Sequence, residues 1–168
     1  MAEHRYYDVT IVCTTDDHQA DFWMSKLGKN FKKEEGEQFP MVIAVSEDWN
    51  NSGGAGNGLG TLYAWQKACK YAQEKFSVDL NALLQEDKIS AALYHTAGKG
   101  TRMAPLPASE NNNKPGVKLP FPKALTVLEA VVRQTGIYAA SRKGRLSVYW
   151  GDQVFLPSVD FVYKPAYH

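Results

Sequence analysis

The chain has 168 residues, a net charge of +1, 44% hydrophobic and 22% charged residues, the composition of one ordinary globular domain with its own core. The balanced charge excludes a general pull toward nucleic acid or an anionic membrane, so any anion binding has to come from a local cluster. No apolar run approaches the ~18 residues of a membrane span, "MAEHRYYDVT" lacks the apolar centre of a signal peptide, and Cys13 and Cys69 make no C-x-x-C or zinc-type spacing. The expectation is a cytoplasmic protein with two buried free thiols.

Taken in chain order, "YYDVTIVCTT" is rich in β-branched residues and predicts a first strand. Asp16 or Asp17 then caps a helix predicted from about residue 18 to residue 30, with Ala20, Trp23, Met24 and Leu27 on one face. "FKKEEGEQ" reads as a charged, solvated loop. "FPMVIAVSED" predicts a second strand, and its near-continuous apolar run suits burial on both faces. "WNNSGGAGNGLGT" is a glycine-rich loop. The helix predicted after it starts near Thr61, with Leu62, Trp65, Ala68 or Cys69, and Ala72 at helical spacing. "DLNALLQED" predicts a short helix and "KISAALYHT" a third strand, on which His95 reads as a packed, hydrogen-bonded histidine. "ALTVLEAVVRQTGIYAASRKG" predicts one long helix, and "RLSVYWGDQVFLP" a fourth strand ending in Gly151 and Asp152. The four tryptophans read as core residues.

Alternating strands and helices predict an α/β fold, a mostly parallel sheet flanked by helices, as a single domain over residues 1–168. Ligands of such sheets bind beyond the carboxyl ends of the strands. Three unusual segments fall at predicted strand ends: the glycine loop over residues 53–60, the segment "TAGKGTR", and Gly151-Asp152. The expectation is one site built from all three.

The middle segment carries the chemistry. Glycine lets backbone N–H groups approach a ligand closely. A strand that ends in Gly98-Lys99-Gly100-Thr101-Arg102 therefore makes an amide cradle with cations on its rim, which suits phosphate. It is not a Walker P-loop, because Thr101 and Arg102 stand where Lys and Ser or Thr would be needed. The earlier loop is not a G-x-G-x-x-G fingerprint either, because Leu59 occupies the last glycine position. That argues against a dinucleotide-binding oxidoreductase.

"AGKGTRMAPL" resembles the G-x-G-T-R-x-x-P-L signature of the sugar-1-phosphate nucleotidylyltransferases, the nucleoside-diphosphate-sugar pyrophosphorylases. Ala97, Gly98, Gly100, Thr101, Arg102, Met103, Pro105 and Leu106 carry the match. "NKPGVKLP" resembles the lysine-proline motif of that family; Lys114 matches better and Lys118 is the rival, assigned to the sugar phosphate. "YWGDQVF" resembles its Gly-Asp strand end, and "GNGLGTLYAWQKA" its Gly-Thr loop and helix. The motif order differs from the family's, because Gly60-Thr61 precede Gly98 instead of following it. A circular permutation is the expected origin, with the four strands still in one sheet. A looser resemblance is to fucose-1-phosphate guanylyltransferases.

The resemblance implies a Rossmann-like nucleotidyltransferase core of the GT-A type. It implies transfer of a nucleotidyl group from a nucleoside triphosphate to a sugar-1-phosphate, with release of pyrophosphate. In that reading Arg102 and Lys114 are catalytic. Gly98, Lys99, Gly100, Thr101, Asn57, Gly58, Gly60 and Thr61 bind the nucleotide, Lys118 meets the sugar phosphate, and Asp152 holds Mg2+. Sixteen residues follow Asp152, fewer than the family's sugar-binding strands require. The chain is therefore expected to be the N-terminal part of a longer enzyme, completed by a C-terminal remainder or partner chain. The alternative is a non-catalytic module that senses nucleotide or nucleotide-sugar. Neither the base nor the sugar follows from the sequence.

Overall fold

The computed structural model of the chain describes residues 6–31, 36–48, 55–97, 114–120, 125–153 and 155. Four strands, β1 (Val9–Thr14), β2 (Met41–Ser46), β3 (Ala91–His95) and β4 (Leu146–Trp150), form one sheet in the order β2-β1-β3-β4. Every pairing is parallel, with Ile11 opposite Ile43 and Leu93, and Leu93 opposite Val148. The α/β fold and the single sheet are those the sequence predicts. No helix among the described residues is long and apolar enough to cross a membrane.

Two cores follow from the alternation of side chains along each strand. One face carries Val9, Ile11, Cys13, Ile43 and Leu93 and is covered by α2 (Gly56–Phe76). The covering stripe of α2 is Ala64, Ala68 and Ala72, fully buried at intervals of four, and such small side chains let a helix lie close on a sheet. α3 (Leu80–Gln85), capped by the Asp79 carboxylate on the Ala82 N–H, closes the same core with Leu80. The other face carries Val12, Ala44, Ala92 and Tyr94. It is covered by α1 (Asp17–Gly28), through Ala20, Trp23 and Leu27, and by α4 (Val127–Thr135), through Leu128, Val131 and Val132. The second strand is an edge strand, yet it is buried because α1 and α2 cover its opposite faces.

Local chemistry sets the helix ends. Asp16 caps α1 by accepting from the Gln19 N–H at 2.8 Å. Thr126 and Glu129 form a reciprocal capping box at the start of α4. The Glu129 carboxylate also accepts from Asn30 Nδ2 at 2.7 Å and lies 3.8 Å from Lys26 Nζ, so the first turn of α4 is bound to the end of α1. The long helix predicted through residue 144 stops at Thr135. Thr135 Oγ1 donates back to the Val131 carbonyl at 2.9 Å and meets Tyr94 Oη at 2.6 Å, and Gly136–Arg142 continues in 3₁₀ turns. The Thr135 hydroxyl, back-bonded to its own helix and held by Tyr94 across the core, marks the change of winding.

The crossovers do not share one hand. The β1-to-β2 connection runs one way along the sheet with α1 on one face. The β2-to-β3 connection runs the other way with α2 on the opposite face, and reversing both direction and face preserves the hand. The β3-to-β4 connection also runs that second way, but α4 lies on the face of α1, so its hand is opposite. Crossovers of one sheet are right-handed in about 98% of cases, which makes this wiring exceptional. It also leaves one face of β4 without a described helix. Val148 and Trp150 are 40% and 37% exposed there, an exception to the reading of every tryptophan as core.

Burial alone would raise the Glu129 carboxyl. The Thr126 N–H and hydroxyl, the Asn30 amide and the Lys26 charge outweigh it and hold the carboxyl below its ordinary range. A depressed folded value contributes stability above the ordinary carboxylate range that is lost as pH falls through the folded value. Glu129→Gln is expected to cost about 2 kcal/mol at pH 7, with the gap to the parent closing on acidification. Urea denaturation of both proteins from pH 7 to pH 3 measures it.

Candidate functional site

The carboxyl ends of β1, β3 and β4 are tied together by backbone hydrogen bonds. The Cys13 carbonyl accepts from the Thr96 N–H at 2.8 Å, the Thr96 hydroxyl at 3.0 Å and the Ala97 N–H at 3.2 Å. These bonds fix the point from which the G-x-G-T-R segment departs. Gly98, Lys99, Gly100, Thr101 and Arg102 themselves lie outside the described residues. On the other side of β3, the Gly151 N–H donates to the His95 carbonyl at 2.9 Å. A Cβ at position 151 would sit 2.9 Å from Thr96 Cγ2, 3.1 Å from Leu128 Cδ1 and 3.2 Å from the His95 carbonyl oxygen. Glycine is therefore required by packing, and it sets half-buried Asp152 at the end of β4, next to the end of β3.

The first predicted segment, the glycine stretch, is corrected in part. The glycine stretch is not a loop up to Thr61: α2 begins at Gly56, whose φ is +70°, so Asn57, Gly58, Gly60 and Thr61 belong to its first turns. Asn57 and Gly58 are exposed, and Gly60 is buried. A Cβ on Gly60 would lie 3.3 Å from Glu47 Oε2 and 3.6 Å from His95 Cε1, so this turn rests on the side chains that end β2 and β3. Thr61 Oγ1 lies 2.6 Å from the Asn57 carbonyl oxygen and 2.8 Å from His95 Nε2. His95 is thus the packed, hydrogen-bonded residue that the sequence predicts. Ala55 makes no side-chain cap for this 21-residue helix, whose amino-terminal turn meets this edge at Gly60 and Thr61.

Four ionisable side chains surround that turn. Burial pushes the His95 imidazole below its ordinary value, so it is neutral at pH 7. Burial likewise pushes the Glu47 carboxyl above its ordinary range. The Cys13 thiol is pushed up to about 12, by burial first and then by the Glu47 charge, which removes it as a nucleophile. Lys67 Nζ donates to the Ser46 carbonyl at 2.8 Å, to Ser46 Oγ at 3.1 Å and to the Asp48 carbonyl, so all three of its protons brace the end of β2. Gln19 Oε1 and Asp48 Oδ1 are buried without a hydrogen-bond partner among the described residues. Both follow strand ends on this same edge. Sequence reasoning missed Glu47, Gln19 and Lys67; an acid directly after a predicted buried strand was the one available signal.

Lys114 opens a 3₁₀ turn, Lys114–Gly116, whose Pro115 and Gly116 are buried. Lys118 forms an antiparallel bridge with Thr126, its side chain is exposed, and Val127 N–H donates to the Val117 carbonyl at 3.0 Å. The lysine-proline segment is thereby anchored to the start of α4, the helix whose Leu128 touches Gly151. No cluster of three or more His, Cys, Asp or Glu among the described residues could hold a metal ion. The single carboxylate of Asp152 nevertheless fits Mg2+, which takes one or two carboxylates and completes its octahedron with water and phosphate oxygens. A groove lined by His18, Asp21, Phe22, Lys26 and Glu129 runs along α1. Comparison with protein-family models, curated proteins and solved structures finds no match to this chain.

Three substitutions test this geometry. A raised folded value means that ionised Glu47 opposes folding, so stability is lost as pH rises through that value. Glu47→Gln is expected to melt above the parent at pH 8, with the difference narrowing toward pH 5. Gly151→Ala is expected to cost about 1–3 kcal/mol through overpacking, whereas Gly58→Ala, with nothing within 4 Å, leaves stability unchanged or raised; calorimetry distinguishes them.

Proposed function

We propose that the carboxyl edge of the sheet binds a nucleoside triphosphate, and that the chain transfers its nucleotidyl group to a sugar-1-phosphate, by itself or as part of a larger protein. One observation carries the reading. The segment that resembles G-x-G-T-R-x-x-P-L follows β3 after residue 97, and the Gly-Asp pair is joined to the end of that strand by the Gly151-to-His95 hydrogen bond. Two motifs separated by about fifty residues of chain thus share one strand edge.

The chemistry asks mainly for position and charge. A phosphate oxygen is already anionic at neutral pH, so attack on the α-phosphorus needs little proton transfer. Gly98 and Gly100 offer amides to the phosphates, with Lys99 and Thr101 beside them. Arg102 neutralises charge on the transferring and leaving phosphates, and Lys114 meets the α-phosphate. Exposed Asn57 and Gly58 are open to base or sugar, and exposed Lys118 to the sugar phosphate. Asp152 is the residue to hold Mg2+, and the metal would supply charge neutralisation to the phosphates.

The wiring adds support. In the order β3–α4–β1–α1–β2–α2–β4 every crossover of this sheet has the same hand. That order also restores the family's sequence of motifs: G-x-G-T-R, lysine-proline, Gly-Thr, Gly-Asp. The rearrangement is a transposition of the β3–α4 unit, because a circular permutation would leave β4 directly after α2.

Calorimetric titration with each common ribonucleoside triphosphate, with and without Mg2+, tests the proposal. One triphosphate is expected to bind in a Mg2+-dependent way, and Arg102→Ala and Asp152→Ala each to weaken it by 10-fold or more, ~1.4 kcal/mol. Binding with no pyrophosphate release against any sugar-1-phosphate would favour the sensing module. No binding by the folded chain would overturn the nucleotide site.

A further inference from the structure

His95 ends β3, three residues before Gly98, and is 6% exposed. Its in-register neighbours, Cys13 and Trp150, give it no ionic partner. A buried imidazole in such a row needs a hydrogen bond, and it comes from across the core, from Thr61. The proton count fixes the direction. Thr61 has one hydroxyl proton, and the Asn57 carbonyl at 2.6 Å can only accept it. His95 Nε2, 2.8 Å away, is then the donor. This selects the tautomer protonated at Nε2. Gly60 admits the ring edge, with His95 Cε1 3.6 Å from where a Cβ would stand.

The first turn of α2 needs such a brace, because Ala55 gives it no side-chain cap and uncapped helix ends fray. We infer that His95 is a positioning residue: its bond to Thr61, continued to the Asn57 carbonyl, locks the first turn of α2 to the strand end that carries the G-x-G-T-R segment, so that both sides of the nucleotide site hold one geometry. The inference rests on the nucleotide reading above for its function, but not for the existence of the brace. It assigns the Thr61 hydroxyl to an internal bond and leaves ligand contacts to exposed Asn57 and Gly58.

The test uses the full chain with His95→Leu, Thr61→Val, the double variant, and His95→Gln, whose amide can donate from about the same place. Hydrogen exchange of residues 60–65, without ligand, is expected to rise about 3- to 10-fold in each of the first two. The double variant should show no more than the larger single effect, His95→Gln should recover, and the carboxyl half of α2 should be unchanged. Affinity for the Mg2+-bound triphosphate should fall by a similar factor and recover in His95→Gln. Unchanged exchange, or a rise spread evenly over the chain, overturns the brace. Raised exchange with unchanged affinity overturns the positioning role. Failure of the parent to bind any triphosphate overturns the nucleotide reading, while the exchange pattern still decides the brace.

Discussion

Three donors converge on one acceptor, the carbonyl oxygen of Cys13. The Thr96 N–H, the Thr96 hydroxyl and the Ala97 N–H all reach it, and this fixes where the chain leaves β3. The pairing of β1 with β3 is thereby carried past the last residues of both strands. Gly151 repeats the device on the other side by donating to the His95 carbonyl. The ends of three strands therefore form one rim, from which the G-x-G-T-R and Gly-Asp segments leave.

Close approach at two glycines makes that rim compact. Gly151 leaves no space for a side chain between Thr96 and Leu128, and Gly60 seats α2 against Glu47 and His95. The same crowding buries Glu47 and His95 and moves their ionisation in opposite directions, each toward its neutral form.

Much of this was legible in the sequence, for identifiable reasons. The strands and the Asp16 cap follow from local patterns, β-branched or continuous apolar runs and an aspartate before a helix, whereas the predicted face of α2 is right only at Ala68 and Ala72: Leu62 is exposed and Ala64 completes the buried stripe. The parallel sheet follows from alternation of strands and helices. The start of α2 was misread because glycines at 56, 58 and 60 signal a loop locally, whereas Glu47 and His95, distant in sequence, hold them helical. The break at Thr135 depends on Tyr94, which no local pattern reveals. The shared face of α1 and α4, and with it the opposite hand of one crossover, is a property of packing alone. The candidate site was legible as three strand ends, but the Glu47–Gly60–His95 contact required the fold.

The most direct measurement is a map of backbone amide NMR shifts as the isotope-labelled chain is titrated with a Mg2+-bound nucleoside triphosphate. The account predicts perturbations concentrated at residues 13–19, 47, 56–61, 96–97 and 151–153, together with the segment from Gly98 to Arg102. Perturbations confined to the groove along α1, or to the opposite end of the sheet where Asp8 binds Ser90 and Lys143, would contradict it.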